Sequence, residues 1–190
     1  STEYAEFGIC ISNDLKEIYF TRRAEPPFPQ SGKIMFTAFK GEAWTIPKVT
    51  EFSGKYNDME PILSSDGTRL IFGSNRPTGN DNKAGKFNQW YVERTDSAWS
   101  EPKLLGEPFS DRFVMYPTMA NNKNIYFTGE NGIYISRFKD GNYEEPKLLG
   151  EQINKLQRPA HSYIAPDESF LIFDAQDSGG TKCDIYVAFK

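Results

Sequence analysis

Four times along the chain a short apolar run ends on an aromatic strand residue: Ile18-Tyr19-Phe20-Thr21, Leu70-Ile71-Phe72-Gly73, Ile125-Tyr126-Phe127-Thr128 and Leu171-Ile172-Phe173-Asp174. Measured between successive Phe residues, the runs lie 52, 55 and 46 positions apart. Recurrence at that period marks units that cannot bury their apolar faces alone and must stack on neighbours, as in a propeller or solenoid. Ahead of each run sits a turn bearing Asp or Asn: Ser12-Asn13-Asp14, Ser64-Ser65-Asp66-Gly67, Asn121-Asn122-Lys123 and Ala165-Pro166-Asp167-Glu168. Short amide and carboxylate side chains close tight turns and tolerate left-handed backbone. Ahead of each turn a short apolar strand is expected, at Ile9 to Ile11, Ile62-Leu63, Thr118-Met119 and Tyr163-Ile164. Each repeat thus opens as a hairpin.

A third strand follows a variable loop, as Ile34-Met35-Phe36-Thr37, Gln89-Trp90-Tyr91-Val92, Ile133-Tyr134-Ile135-Ser136 and Ile185-Tyr186-Val187-Ala188, rich in β-branched and aromatic residues. Three repeats then carry a fourth element, Trp44-Thr45-Ile46-Pro47, Trp99-Ser100-Glu101-Pro102 and Tyr143-Glu144-Glu145-Pro146. The last two continue identically as Lys-Leu-Leu-Gly-Glu, at 103–107 and 147–151. Proline has no N–H to donate and is confined mainly to sheet edges, so these segments read as the outermost strands. Four antiparallel strands in about 45–55 residues make a β-propeller blade. The expected fold is all-β, one propeller domain with blades near 8–52, 59–106, 115–150 and 159–190.

No outer strand follows the fourth repeat before Lys190, and none precedes the first. Three readings stay open: a longer propeller of which this is a part, a four-bladed propeller that closes on itself with a three-stranded last blade, or an open arc. In the last case the unprotected strand near Ile185 to Phe189 pairs with another chain, since a bare edge is a template for association.

At 190 residues, with 38% hydrophobic residues, 15 Phe and 10 Tyr, the chain has the material for an aromatic-rich core and is not of disordered composition. A net charge of −4 gives no overall attraction for phosphate backbones, so nucleic acid is not an expected partner. No apolar run approaches the roughly 20 residues of a membrane-spanning helix. The chain starts at Ser1 and not Met, as after removal of a signal peptide, lipoprotein anchor or tag. Cys10 and Cys183 fall in the first and last repeats and would be neighbours in a closed ring, although two buried thiols are the commoner arrangement.

The phrases Glu60-Pro61-Ile62-Leu63-Ser64-Ser65-Asp66-Gly67-Thr68-Arg69-Leu70-Ile71-Phe72 and Cys183-Asp184-Ile185-Tyr186-Val187 resemble the TolB-type, WD40-like propeller repeat often called PD40. The third repeat departs from it with Asn121-Asn122 in place of Pro-Asp. The resemblance implies a propeller, and a bacterial envelope location, periplasmic or secreted. It implies no single activity, because such repeats serve in binding scaffolds and as non-catalytic domains of peptidases.

In a propeller, the loops entering the innermost strands and those joining second to third strands share one face, the default binding surface. Loops Glu51 to Glu60, Glu107 to Tyr116 and Glu151 to Tyr163 bring Tyr56, Asp58, Glu60, Arg112, Tyr116, Arg158 and His161 there as candidate ligand-binding residues. Counted back from the turn acids, Glu60, Tyr116 and His161 occupy equivalent places. The second-to-third loops add Arg22 and Arg23, beside the stiff Pro26-Pro27-Phe28-Pro29 segment, and Arg76, next to a polar stretch at 80–86 expected to be the least ordered.

His161, the single histidine, reads first as a hydrogen-bonded loop residue. Without a second His or a Cys–His cluster no transition-metal site is expected, no spacing of known type supports a hard-cation site at Asp58 and Glu60, and no cofactor is called for. A glycoside hydrolase or sialidase-like enzyme would need two carboxylates across a pocket, with Asp58, Glu60 and Asp174 the candidates. The sialidase turn Ser-x-Asp-x-Gly-x-x-Trp is not matched, since Gly67 comes one place early and Phe72 stands near the Trp position. A Gly-x-Ser-x-Gly elbow, a metalloprotease helix and a phosphate loop are absent. The leading expectation is therefore a non-catalytic propeller that binds a protein, peptide or carbohydrate, with the propeller enzyme as alternative.

Overall fold

The computed structural model describes residues 3–24, 31–79, 85–96, 98–110, 112–177, 179 and 182–190. The Pro26–Pro29 segment and most of the polar stretch at 80–86 lie outside them. The chain divides into two compact units, Ser1–Asp111 and Arg112–Lys190, each holding two blades. In the first, β1 (Tyr4–Ile11), β2 (Glu17–Ala24), β3 (Lys33–Ala38) and β4 (Lys48–Val49) form one antiparallel sheet in chain order. β5 (Asp58–Leu63), β6 (Arg69–Ser74), β7 (Asn88–Glu93) and β8 (Lys103–Leu104) form the next.

In the second unit, β9 (Met115–Met119), β10 (Ile125–Gly129) and β11 (Gly132–Ser136) are followed by a small hairpin, β12 (Phe138–Lys139) with β13 (Asn142–Tyr143). The outer strand β14 (Lys147–Leu148) then completes that blade. α1 (Glu151–Asn154) leads into β15 (Gln157–Ile164), β16 (Phe170–Gln176) and β17 (Cys183–Phe189), a three-stranded sheet. The expected blade type and the three-stranded last sheet are thus both present. Among the described residues no helix is long and apolar enough to cross a membrane.

The aromatic phrase owes its lack of alternation to burial on both faces. In a strand, successive side chains point to opposite sides. Tyr19 of β2, with Ile34 of β3, packs onto Leu70, Phe72, Trp90 and Val92 of the second blade. In the second unit Tyr126, Ile133 and Ile135 pack likewise onto Ile164, Leu171, Phe173 and Ala175. The repeating Phe72 and Phe173 therefore point back to the preceding blade, while the residue before the repeating Phe, as in Tyr19 and Tyr126, points forward. Each such side chain, fully buried, contributes about 1.5–3 kcal/mol.

Two sequence expectations shift by a few residues. The outer strands begin after the prolines, at Lys48, Lys103 and Lys147, because the residue that follows Pro can donate to the ladder and Pro cannot. Trp44 and Trp99 form single bridges to Phe39 and Arg94 instead. The innermost strands start earlier than their apolar residues suggest. Each carries a register break, between Phe7 and Cys10, Met59 and Ile62, opposite Tyr126 to Thr128, and twice within Gln157 to Tyr163. A bulge inserts one residue and destroys the period-two pattern from which a strand is read.

The four turns are built alike. The amides of Lys16, Thr68, Asn124 and Ser169 donate to Asp14, Asp66, Asn122 and Asp167 at 3.1, 3.0, 3.1 and 3.0 Å. Asn122 thus does the work of the aspartates that the third repeat lacks. The residue after each acceptor is left-handed: Leu15 (φ 58°), Gly67 (φ 69°), Lys123 (φ 69°) and Glu168 (φ 61°).

Both cysteines are free. Cys10 is packed beside the first unit's core, and burial pushes its thiol up to about 12. Cys183 is exposed and not buried as expected, because it opens β17 at an uncovered edge. Partial desolvation and the neighbouring Asp174 carboxylate raise its thiol.

Leu15 is 68% exposed, so Leu15→Gly removes left-handed strain without losing packing. It should raise stability by about 0.5–1 kcal/mol, read as a higher urea midpoint. Hydrogen bonds from the Ser12 and Ser169 side chains hold Asp14 and Asp167 below the usual carboxylate range. Glu168 is also lowered: burial opposes its charge, but Asn124 and Tyr126 donating to it outweigh that. As pH falls, the unfolded chain therefore takes up protons before the folded one, and stability present above about pH 4 is lost below it. The double variant Asp14→Asn, Asp167→Asn, which copies Asn122, should flatten the loss in thermal melts between about pH 5 and 3.

Candidate functional site

The bulges define a recurring position. Gly8, Glu60, Tyr116 and His161 stand 12, 12, 11 and 12 residues before the repeating Phe. All four are left-handed, with φ of 60°, 55°, 51° and 48°. Only the first is glycine, for which that conformation carries no steric cost. At Glu60, Tyr116 and His161 it costs about 1–3 kcal/mol each. Pro61 and Pro117 follow two of them, and bulges are among the few sheet positions that accept a residue without N–H.

Neighbouring inner strands bring these positions together within each unit. A Cβ on Gly8 would lie 3.0 Å from the Glu60 Cα, so glycine is favoured there by close approach as well as by φ. The Glu60 amide donates to the buried Thr21 hydroxyl at 2.8 Å, and Glu60 itself is 5% exposed. In the second unit the Tyr116 and His161 rings sit with centroids 3.9 Å apart. His161 Nδ1 lies 2.8 Å from Asp174 Oδ2 across the β15–β16 hairpin. With Asp174 accepting from Nδ1–H, the ring is oriented, and just over half of the side chain is exposed. His161 is hydrogen-bonded, as expected, but on a strand.

Asp58 and Arg76 occupy the interior. The Asp58 side chain is fully buried, and Arg76 Nη2 donates to its Oδ1 at 2.8 Å. Ser74 donates to Oδ1 at 2.6 Å and Ser53 to Oδ2 at 2.7 Å. Ser53 Oγ in turn accepts the Ile34 amide of β3 at 3.0 Å, and the Asp58 amide donates to the Gly32 carbonyl. Arg76 also donates to the Phe52 carbonyl and lies over the Phe72, Trp90 and Tyr56 rings. This cluster ties blade two to the third strand of blade one.

The remaining candidates are spread along the blades. Arg22 and Arg23 belong to β2 and not to a loop. Arg22 pairs with Glu6 at 2.6 Å and lies over Tyr4 and Phe20, while Arg23 lies over Phe7. Tyr56 is half-buried beneath Arg76 and Lys55. Arg112 pairs with Glu145. Arg158 marks the other bulge of β15, with φ of 50° and an exposed side chain. Sequence reasoning passed over Gly8 and the linkage of His161 to Asp174. The first was legible only as a spacing from Phe20. Among the described residues no group of three or more His, Cys, Asp or Glu is placed to hold a metal.

The sheets and their stacking define a β-propeller class of protein. No family model matches the sequence, and no curated protein sequence is significantly similar to it. Solved structures of propeller proteins are similar in fold. A puromycin-hydrolysing peptidase of Mycobacterium tuberculosis matches at a TM-score of 0.57 and 12% identity, over 98% of this chain and 27% of that one. A gluconolactonase from Xanthomonas campestris matches at 0.57 and 11%, over 88% of this chain and 52% of that one. A Hadza microbial sialidase matches at 0.55 and 14%, over 99% and 45%. The chain thus spans about half or less of these structures, and at such identities the likeness is one of fold.

Removing one partner of the Asp58–Arg76 pair leaves the other charge buried. Asp58→Ala should therefore cost about 3–5 kcal/mol in urea unfolding, well above Arg22→Ala, whose pair with Glu6 is partly exposed.

Proposed function

We propose that this chain is a non-catalytic binding module of the TolB-type, WD40-like kind, acting in the periplasm or outside the cell. It recognises a protein, peptide or carbohydrate through the bulged ends of its innermost strands and the loops that enter them. The observation that carries this reading is the repeated left-handed bulge at Glu60, Tyr116 and His161. Strain kept at equivalent non-glycine positions is the mark of side chains that are held for use. Tyr116 and His161 reach solvent as an aromatic pair with a fixed imidazole, a surface suited to stacking on a ring or a peptide group and to one directed hydrogen bond.

A glycoside hydrolase or sialidase-like enzyme using Asp58 and Glu60 is the second reading, favoured by the propeller enzymes that share the fold. It stands second because both Asp58 oxygens already accept hydrogen bonds from Ser53, Ser74 and Arg76.

Glycan and peptide arrays probed with the wild-type chain should yield a ligand whose affinity falls about tenfold or more in Tyr116→Ala and His161→Ala, with melting temperatures unchanged. Turnover of a glycoside panel that disappears in a folded Glu60→Gln variant would instead reverse the order of the two readings.

A further inference from the structure

Between the outer part of blade one and the turn that follows β7 in blade two, the first unit holds a cavity of about 290 Å³. None of its described lining residues comes from the bulged strands β1 and β5, so it is separate from the binding face proposed above. Its floor is Tyr19, which is 1% exposed and whose hydroxyl lies 3.3 Å from both Glu17 and Arg94. The Phe36 ring leans on Tyr19 with centroids 5.0 Å apart, and Trp99 meets Tyr19 edge-on at 6.0 Å. Arg94 lies 4.4 Å over Trp99 and also donates to the Gly67 carbonyl at 2.8 Å. Its two terminal nitrogens donate to the Glu17 carboxylate at 3.2 and 2.6 Å, so this guanidinium is neutralised within the wall. The Thr95 amide and hydroxyl both donate to the Ala98 carbonyl, at 2.8 and 2.9 Å, which closes the turn carrying Arg94 and Trp99.

Three other charged side chains line the same cavity: Lys48 and Glu51 from blade one and Asp96 from blade two. All three are exposed, and among the described residues none of them forms an ion pair. Lys48 and Glu51 stand only three positions apart and still do not pair; the Lys48 ammonium lies 6.0 Å over the Phe36 ring instead. The chain's own repeat shows that the sheet does not require these groups. Lys48, Lys103 and Lys147 pair with equivalent third-strand residues, Phe36, Tyr91 and Ile135. Two places further on, blades two and three carry Leu105-Gly106 and Leu149-Gly150, whereas blade one carries Thr50-Glu51. A carboxylate thus replaces a glycine at the one such position that borders this cavity.

We infer that the cavity binds a single amino acid with an aromatic side chain, its ring against Phe36 and Trp99, its ammonium at Glu51 and Asp96, and its carboxylate at Lys48. Ligand pockets run from about 300 to 1,000 Å³, so a cavity at the lower end takes one small molecule. The rings supply area for a flat apolar group. Charges of both signs without partners complement a zwitterion. A ligand that is only anionic meets two carboxylates, and one that is only cationic leaves the Lys48 ammonium unused.

The test is a calorimetric titration of the 190-residue chain with L-phenylalanine, for which saturable binding is expected. Phenethylamine lacks the carboxylate, hydrocinnamate lacks the ammonium and L-alanine lacks the ring, and each should bind at least about tenfold more weakly. Lys48→Met should weaken L-phenylalanine and leave phenethylamine unchanged, while Glu51→Gln should weaken L-phenylalanine and leave hydrocinnamate no weaker. Both side chains are exposed, so neither variant should lower the melting temperature. Absence of saturable binding at millimolar L-phenylalanine would overturn the inference. So would phenethylamine or hydrocinnamate binding as tightly as L-phenylalanine, or full affinity in both variants.

Discussion

Every sheet in this chain has two faces to cover, and among the described residues one four-residue helix is all that is available besides other sheets. The governing constraint is therefore blade-on-blade packing. Tyr19 and Tyr126 face forward, and Phe72 and Phe173 face back, because adjacent residues of a strand point to opposite sides. The two cores, each shared by two blades, follow from that one alternation. So do the exposed apolar residues of β17, the strand whose forward side meets no further sheet in its own unit.

Packing both faces leaves the backbone at the sheet ends to be satisfied, and the two units solve this differently. In the first, Ser53 accepts the Ile34 amide and is itself held by the buried Asp58 carboxylate, which Arg76 and Ser74 complete. In the second, Asn154 of α1 accepts the Ile133 amide and donates to the carbonyls of Ile133 and Leu149. A neutral amide does with one side chain what the first unit does with a charged cluster. The charged solution has a higher cost of disruption, because a buried unpaired ion is worse than an unpaired amide. It also explains why an acidic residue at the mouth of an inner strand is not, on that ground alone, a catalytic one.

The functional reading grows out of the innermost strands. A bulge turns a side chain away from the ladder and fixes it there. Gly8 accommodates the close approach of Glu60, whereas Tyr116 and His161 fill the same place with two rings in contact. The repeat thus keeps one backbone geometry while varying the group it presents, which is how a propeller diversifies binding on a constant frame.

Sequence alone determined the blade count, the strand order, the Asx turns and the equivalence of Glu60, Tyr116 and His161, since all rest on local chemistry repeated at a fixed interval. Asn122 could be matched to Asp14, Asp66 and Asp167 by position before any hydrogen bond was seen. The inner strands were read too short, because a bulge erases alternation, and the outer strands too early, because Trp and Pro look like strand and are its prelude. Only the tertiary structure decided that Asp58 is sealed against Arg76, that Arg22 and Arg23 lie on a strand, and that His161 leans on Asp174. Those outcomes depend on which surfaces distant segments bring into contact, and burial by a neighbour leaves no trace in the spacing of the residues it covers.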